Sequence, residues 1–399
     1  SVLRQLIAHI GDDAFVAGVG EYLRSHAFGN GELAEFIVAI EGAAGRSLTA
    51  WSAAWLQTAG ADRIGLEGDA LTRVAPEAHP ADRAHTPDVA ASVGGREVAR
   101  VELVVDGERT PVPGLADVPA GALIVPNASD LTWAEVALDA ATIDGLPGNL
   151  ADVPDASARS VLWVSLLGSV ARGEVDPRTV LSVFVAAWPR EDSAAVLSRV
   201  SLLMTNQVVP LFLPPGEQEG ARARVADAAD ALLERSASVA GASGDALAVL
   251  AARVWARTGV DEDRLRRWAA GDGIPEVLVG DDDFRWSVLR RLATFGVLGD
   301  DEIAAAEAAD RSLAGSLAAL GVRAVRPTAQ AKEWAWGRLR DDADLSNYAA
   351  LAIAGGFWTA PDAALVRPYV AQVGDLLVGL SGRMGDDAVS RVVSAMHPT

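Results

Sequence analysis

The chain has 399 residues, half of them apolar and 22% charged, which is the composition of two or three folded globular domains and not of a disordered chain. Its 34 basic residues stand against 54 acidic ones, for a net charge of −20, which argues against partners held by neutralised phosphates: no nucleic acid and no anionic membrane. With no cysteine there is no disulfide, thiolate nucleophile, iron–sulfur cluster or cysteine zinc site, and a cytoplasmic location is expected. No run approaches the roughly 20 consecutive apolar residues of a membrane span, and no secretory signal opens the sequence.

Residues 1–60 read as four helices. Val2, Leu3, Leu6, Ile7 and Ile10 form an apolar stripe on the first, which runs to Gly11. A helix that needs a partner surface from its first turn, in a chain opening at Ser1, is expected from a cut through a larger protein. The second helix covers about Asp12–His26. Asn30 is the expected cap of a third, which ends at Ala44 with Gly45 as a left-handed stop. Ser47 is expected to cap a short fourth that carries Trp51, Trp55 and Leu56 and ends by Gly60.

Between Ala61 and about Leu146 the period changes from helical to alternating, which predicts a small β-sandwich. Val98–Val105 alternates strictly, Asp106-Gly107 is a hairpin turn signal, and Thr110–Val112 is the expected return strand. Ala122–Pro126 and Thr132–Leu138 predict two further strands, with Asn127–Asp130 as the turn. Ile143–Pro154, rich in glycine and proline, reads as a linker.

Beyond it a loose repeat predicts stacked antiparallel helix hairpins, with glycine stopping one helix and an acidic residue or proline opening the next. It occurs at Ala171–Pro177, Arg257–Asp261, Thr294–Asp300 and Gly355–Asp362. The predicted fold is therefore mainly α with a small β-sandwich: a helical unit at 1–60, a sandwich at 61–146, and a curved, superhelical, HEAT-like array at 150–399.

No catalytic centre is recognisable, and neither catalytic nor metal residues are assigned. None of His9, His26, His79, His85 and His397 lies four residues from another, as a helical zinc pair requires. His79 and His85, with Asp82 and Asp88, offer only a weak metal reading against that of a solvated loop. Asp281–Asp283 and Asp341-Asp342 could be read as glycosidase carboxylates, but both runs fall at helix ends, where capping explains them. Trp163, Trp188, Trp255, Trp268, Trp286, Trp334 and Trp336 fall on apolar helix faces and read as core. Arg285 is unusual, because a helix N-terminus avoids a cation. Its functional reading is a side chain pointing into a concave surface, against a simple salt bridge to the aspartates before it. Asn206 and Gln207 are weaker polar candidates.

Ser1–Leu6, His26–Asn30, Gly45–Trp51 and Trp55–Gly60 resemble the end of the thermolysin-like domain in the aminopeptidase N family of zinc metallopeptidases. Asn127–Asp139 looks like the last strand pair of that family's sandwich. Asp283–Leu292, Arg326–Lys332 and Gly356–Trp358 look like its C-terminal helical domain, of actinobacterial type. The resemblance implies a parent enzyme that removes N-terminal residues from peptides, with a zinc ion held by H-E-x-x-H and a distant glutamate. Those elements are expected before Ser1, so this chain is expected to hold no cofactor and to be inactive alone. Its implied partners are the upstream catalytic domain and the parent's peptide substrates, whose access the helical domain controls. The rival reading is a stand-alone helical-repeat module that binds protein or peptide and carries an appended sandwich.

Overall fold

A computed structural model describes residues 2–359 and 363–397. The fold is mainly α with a small β-sandwich, and the chain divides into two compact units, Ser1–Val200 and Ser201–Thr399.

The first unit opens with α1 (Val2–Ile10), α2 (Asp12–Ser25), α3 (Leu33–Ala44) and α4 (Thr49–Leu56). Much of the α1 stripe finds its partner inside the unit: Leu6 is fully buried against Ile37, Ile40, Leu48, Trp51 and Trp55, with Val2 and Ile10 packed at the edge and Leu3 half exposed. Two expected caps differ. Glu32, not Asn30, precedes α3, and the Glu35 carboxylate returns to accept its backbone N–H at 2.8 Å. Leu48 precedes α4, while Ser47 Oγ accepts the Thr49 N–H and donates to Glu41. Gly45 is the left-handed stop at φ 65°.

The sandwich has one sheet of β1 (Asp62–Glu67), β2 (Ala70–Val74), β5 (Arg109–Pro111) and β7 (Ala134–Ala137), ordered β5-β2-β1-β7. The other is β4-β3-β6, from β3 (Asp88–Val93), β4 (Arg96–Glu102) and β6 (Leu123–Pro126). Ile64 and Leu71 from one sheet meet Val89 from the other, with Val105 and Val112, in one buried cluster. The expected hairpin through Asp106-Gly107 is absent. β4 pairs with β3 through Gly94-Gly95, both at positive φ, whereas β5 pairs with β2 in the opposite sheet. Likewise β6 and β7 do not pair: β6 joins β3, and β7 joins β1 in parallel.

The segment 143–154 is no linker. It forms most of α5 (Ala140–Asn149) and a single 3₁₀ turn, and it buries Leu146, Leu150 and Val153. It is followed by α6 (Ala156–Ala171), α7 (Pro177–Ala187) and α8 (Ala194–Leu203). Past α6, Glu174 accepts from Arg63 of β1 at 2.9 Å and from Arg172 at 3.2 Å, and these two guanidinium groups pull its pKa down to about 2. A carboxylate depressed in this way stabilises the fold above its unfolded pKa and loses that contribution as pH falls. Glu174→Gln should therefore be less stable than the parent at pH 6, with the gap closing progressively as pH falls towards 2, measured by denaturant unfolding at each pH.

The second unit continues from the end of α8 through a π-helical stretch, Met204–Phe212, into α9 (Pro215–Ser236), α10 (Ala242–Thr258), α11 (Glu262–Ala269), α12 (Asp282–Thr294), α13 (Asp300–Ala309), α14 (Leu313–Val325), α15 (Ala329–Asp341) and α16 (Asn347–Phe357). Short helices α17 (Arg367–Val370), α18 (Val373–Ser381) and α19 (Asp386–Ala395) close it. Each odd helix from α9 to α15 packs on the even helix that follows, and α10, α12, α14 and α16 pack side by side in order. This is a two-layer, HEAT-like array of hairpins.

Its corners follow the glycine–acid logic with local changes. In the first unit, at 171–177, Gly173 lies at φ 74° and Asp176 caps α7. Gly259 instead has φ −54°, and a Cβ there would meet the Trp255 ring at 2.8 Å, so close approach demands this glycine. Gly299, not Asp300, caps α13, with Glu302 accepting its N–H at 2.9 Å. Of the fourth corner, residues 360–362 lie outside the described residues. Trp163, Trp188, Trp255, Trp268, Trp286 and Trp336 are buried, and Trp334 is partly so. The helical stretch Ala194–Phe212 alone among the described residues is long and apolar enough to cross a membrane, yet Leu197, Val200, Met204 and Val208 on it are already buried in protein.

Candidate functional site

The even-numbered layer carries the polar features of interest. Asp281 caps α12 by accepting the Phe284 N–H at 2.8 Å, and Asp282 and Asp283 suit the positive end of that helix. A cavity of about 300 Å³ opens between the end of α11 and the start of α12, lined by Trp268, Ile274, Leu278, Asp281, Phe284 and Arg285. The Trp268 wall is held in place. Arg264 stacks over Trp255 at 4.0 Å and Trp268 at 4.7 Å, while its two terminal nitrogens pair with Asp230 at 2.7 and 2.9 Å.

Arg285 lines this cavity, and its Nε donates to the Ala269 carbonyl at 3.2 Å. Its terminal nitrogens make no hydrogen bond among the described residues, and the expected salt bridge to Asp281–Asp283 does not form. Asp281 pairs instead with Arg253 of α10. Asn206 and Gln207 lie elsewhere, exposed on the π-helical stretch and outside the cavity lining; Asn206 accepts from Thr205 at 3.5 Å.

From Arg253 a row of cations runs across the layer. Arg257 stands one turn on and is exposed. Arg290 of α12 donates to the Gly355 carbonyl at 2.6 Å, and Lys332 of α15 is fully buried. The local packing and the neighbouring cation lower the pKa of each: Arg253 acts on Arg257, Arg257 on Arg290, and Arg290 on Lys332, whose amine is pushed down to about 7. Among the described residues no carboxylate pairs with Arg257, Arg290 or Lys332. In a chain of net −20 with 54 acidic residues, that is an unusual stretch of uncompensated positive charge. Sequence reasoning gave none of these four residues a site role. The i, i+4 spacing of Arg253 and Arg257 was visible, but not their approach to Arg290, which only the side-by-side packing of α10 and α12 creates.

Residues for a zinc site do not fit. Among the described residues no three histidine or carboxylate groups could hold a metal ion. Of the weak His79–His85 reading, His79 is exposed and His85 is fully buried, its Nε2 donating to Asp62 at 3.1 Å and its Nδ1 accepting from Thr132 at 2.7 Å. A hydrolase triad sets Nε2 on the hydroxyl and Nδ1 on the aspartate; here the two nitrogens are exchanged and all three side chains are sealed from solvent, so this is a structural network. Asp281 and Asp342 sit at helix ends as caps.

Residues 123–399 match the ERAP1-like C-terminal domain family. Aminopeptidase N of Streptomyces lividans is 30% identical over 419 aligned positions, which take in all of this chain and 48% of that protein. The crystal structure of Legionella pneumophila aminopeptidase A in complex with aspartic acid superposes with a TM-score of 0.66 at 14% identity, over 99% of this chain and 53% of that one. The chain thus spans about half the length of the relatives it matches. By this match over most of its length, and with a helical array of the same fold as a solved aminopeptidase, the chain belongs to the ERAP1-like C-terminal domain family.

Proposed function

We propose that this chain is the substrate-enclosing part of a zinc-dependent aminopeptidase that takes residues from the N-termini of peptides. Zinc and the bond-breaking groups belong to the upstream catalytic domain, and this part governs which peptides enter and how they are held. In this reading residues 1–60 complete a thermolysin-like domain, 61–146 form the sandwich, and 150–399 form the helical domain. The cysteine-free composition suits a cytoplasmic enzyme.

The observation that carries the reading is the positive row Arg253–Arg257–Arg290 beside the Arg285 cavity, set on one helical layer of an acidic chain. Such a row suits the carboxylates of a peptide held beyond its scissile bond, through charge-assisted hydrogen bonds worth roughly 1.5–3 kcal/mol each. Val16, Leu23, Phe28 and Val38 on and between α2 and α3 are well exposed, Phe28 completely so. Exposed apolar side chains on these elements suit a surface covered by the rest of a catalytic domain better than a free-standing binding module.

The test is kinetic, in the full-length protein. Arg285→Ala and the double variant Arg257→Glu/Arg290→Glu should lower kcat/KM for peptides of eight or more residues by about 10-fold or more, the equivalent of at least ~1.4 kcal/mol. Single-residue chromogenic amides, which fill only the catalytic site, should be turned over as by the parent. Equal loss on both substrate classes, or on neither, would remove peptide holding from these residues.

A further inference from the structure

Lys332 is the one lysine among the 34 basic residues of the chain, and it is fully buried. A sequence that writes its positive charges almost exclusively as arginine has kept an ammonium group at one place, and the surroundings give the reason. Nζ donates to the carbonyls of Ala324 at 2.7 Å, Thr359 at 3.0 Å and Gly356 at 3.2 Å. Ala324 lies in the last turn of α14 and Gly356 in the last turn of α16; Thr359 follows two residues beyond α16. Three oxygens around one nitrogen match the three N–H bonds of an ammonium ion, whereas a planar guanidinium fork does not fit such a set.

The convergence is imposed by the packing. α14 and α16 flank the antiparallel α15, so they run in the same direction and end side by side. They touch closely: a Cβ on Gly356 would meet the Gly321 carbonyl at 2.8 Å and the Val325 nitrogen at 3.0 Å. Two helix C-termini in contact bring two sets of orphan carbonyls and two negative dipole ends together, which is unfavourable unless a cation stands between them. Lys332, in the first turns of α15, delivers that cation from the third helix, and the Phe357 ring lies 5.9 Å from Nζ.

We propose that the carbonyls of Ala324, Gly356 and Thr359 form a receptor for a small primary ammonium ion, filled from within by Lys332, and that this occupancy locks the end of α16 and residues 357–359 onto α14. Among the described residues no carboxylate pairs with Lys332, so the lock depends on the fit of the cation to the carbonyls and not on a salt bridge.

Chemical rescue in the 399-residue chain separates this from ordinary core packing. Lys332→Ala removes the side chain beyond Cβ, and n-propylammonium replaces the lost atoms. The variant should melt roughly 5–10 °C below the parent, and its amides at 353–359 should exchange faster. Propylammonium below pH 7 should recover at least half of both effects, while tetramethylammonium and guanidinium at equal ionic strength should recover neither. Lys332→Arg, which keeps the charge, should melt as low as the alanine variant. Parental stability in Lys332→Arg, or rescue no better with propylammonium than with tetramethylammonium, would overturn the receptor. If the alanine variant does not fold, Lys332→Met decides: it keeps the volume, so parental exchange protection at 353–359 would show that apolar filling suffices and the proposal fails.

Discussion

Asp62→Ala is expected to be the most damaging single polar substitution in the first unit, at about 3–5 kcal/mol. The Asp62 carboxylate is fully buried on β1 and accepts from Arg83, from Arg73 at 3.0 Å and from His85 at 3.1 Å. Burial alone would raise its pKa, but the hydrogen bonds from His85 and Arg83 keep it low, so it is an anion. Burial lowers the His85 pKa against the pull of Asp62, which leaves the imidazole neutral and the two arginines as the cations. Removing the carboxylate strands both charges inside. Arg83 is also the bolt between elements: its Nε donates to Ala54 at the end of α4, and its terminal nitrogen to Thr58 and Ala59. Loss should therefore spread from the sandwich into the four-helix segment. Amide exchange should accelerate at 54–60 and 83–90 together, with no change at 313–357. Asp62→Asn keeps the shape and two acceptor lone pairs, so it should cost less; equal losses in the two variants would mean that the charge is irrelevant.

The contrast between this network and the helical array shows what the sequence carries. Local signals predicted local structure well. Asp176, Asp261 and Asp281 cap the helices they precede, because an aspartate before an apolar period has few better uses. Pairing between distant strands was a different matter. The alternation of 98–105 identified a strand, but a period of two says nothing about which neighbour it joins, and Asp106-Gly107 gave a false lead. The real turn, Gly94-Gly95, follows a strand buried along most of its length, so β3 shows no alternation to detect.

The candidate site was legible in the same uneven way. Arg285 stood out because a cation at a helix N-terminus contradicts the dipole, and it does line a cavity. Arg257 and Arg290 contradict nothing locally, and they stand out only because no carboxylate among the described residues pairs with them. The single lysine was countable from the start, but a count gives no partner. His85 and Asp62, 23 positions apart, could not be joined without the sandwich that closes over them.

Gly244→Ala should be the most disruptive small substitution in the second unit, against its helix propensity. Gly244 lies in the first turn of α10, where exchanging glycine for alanine ordinarily stabilises a helix by about 1 kcal/mol. Here a Cβ would stand 2.0 Å from the Val239 carbonyl oxygen and 3.1 Å from the Ser236 oxygen. Both are backbone atoms at the α9–α10 corner, so no rotamer change relieves the contact, and the corner must open. The overpacking cost, about 3 kcal/mol, outweighs the propensity gain. The displacement would not stay local, because α10 carries Arg253 and Arg257 and packs along α9 and α12. On the proposed function, a lower melting temperature for Gly244→Ala should be accompanied in the full-length protein by weaker kcat/KM on long peptides, with chromogenic amides spared. Gly220→Ala, on α9 with nothing within 4 Å of its Cβ position, is the control and should be neutral or slightly stabilising. A stable Gly244→Ala would mean that the corner relaxes freely, and α10 would then be a poor candidate for holding its cations in a fixed row.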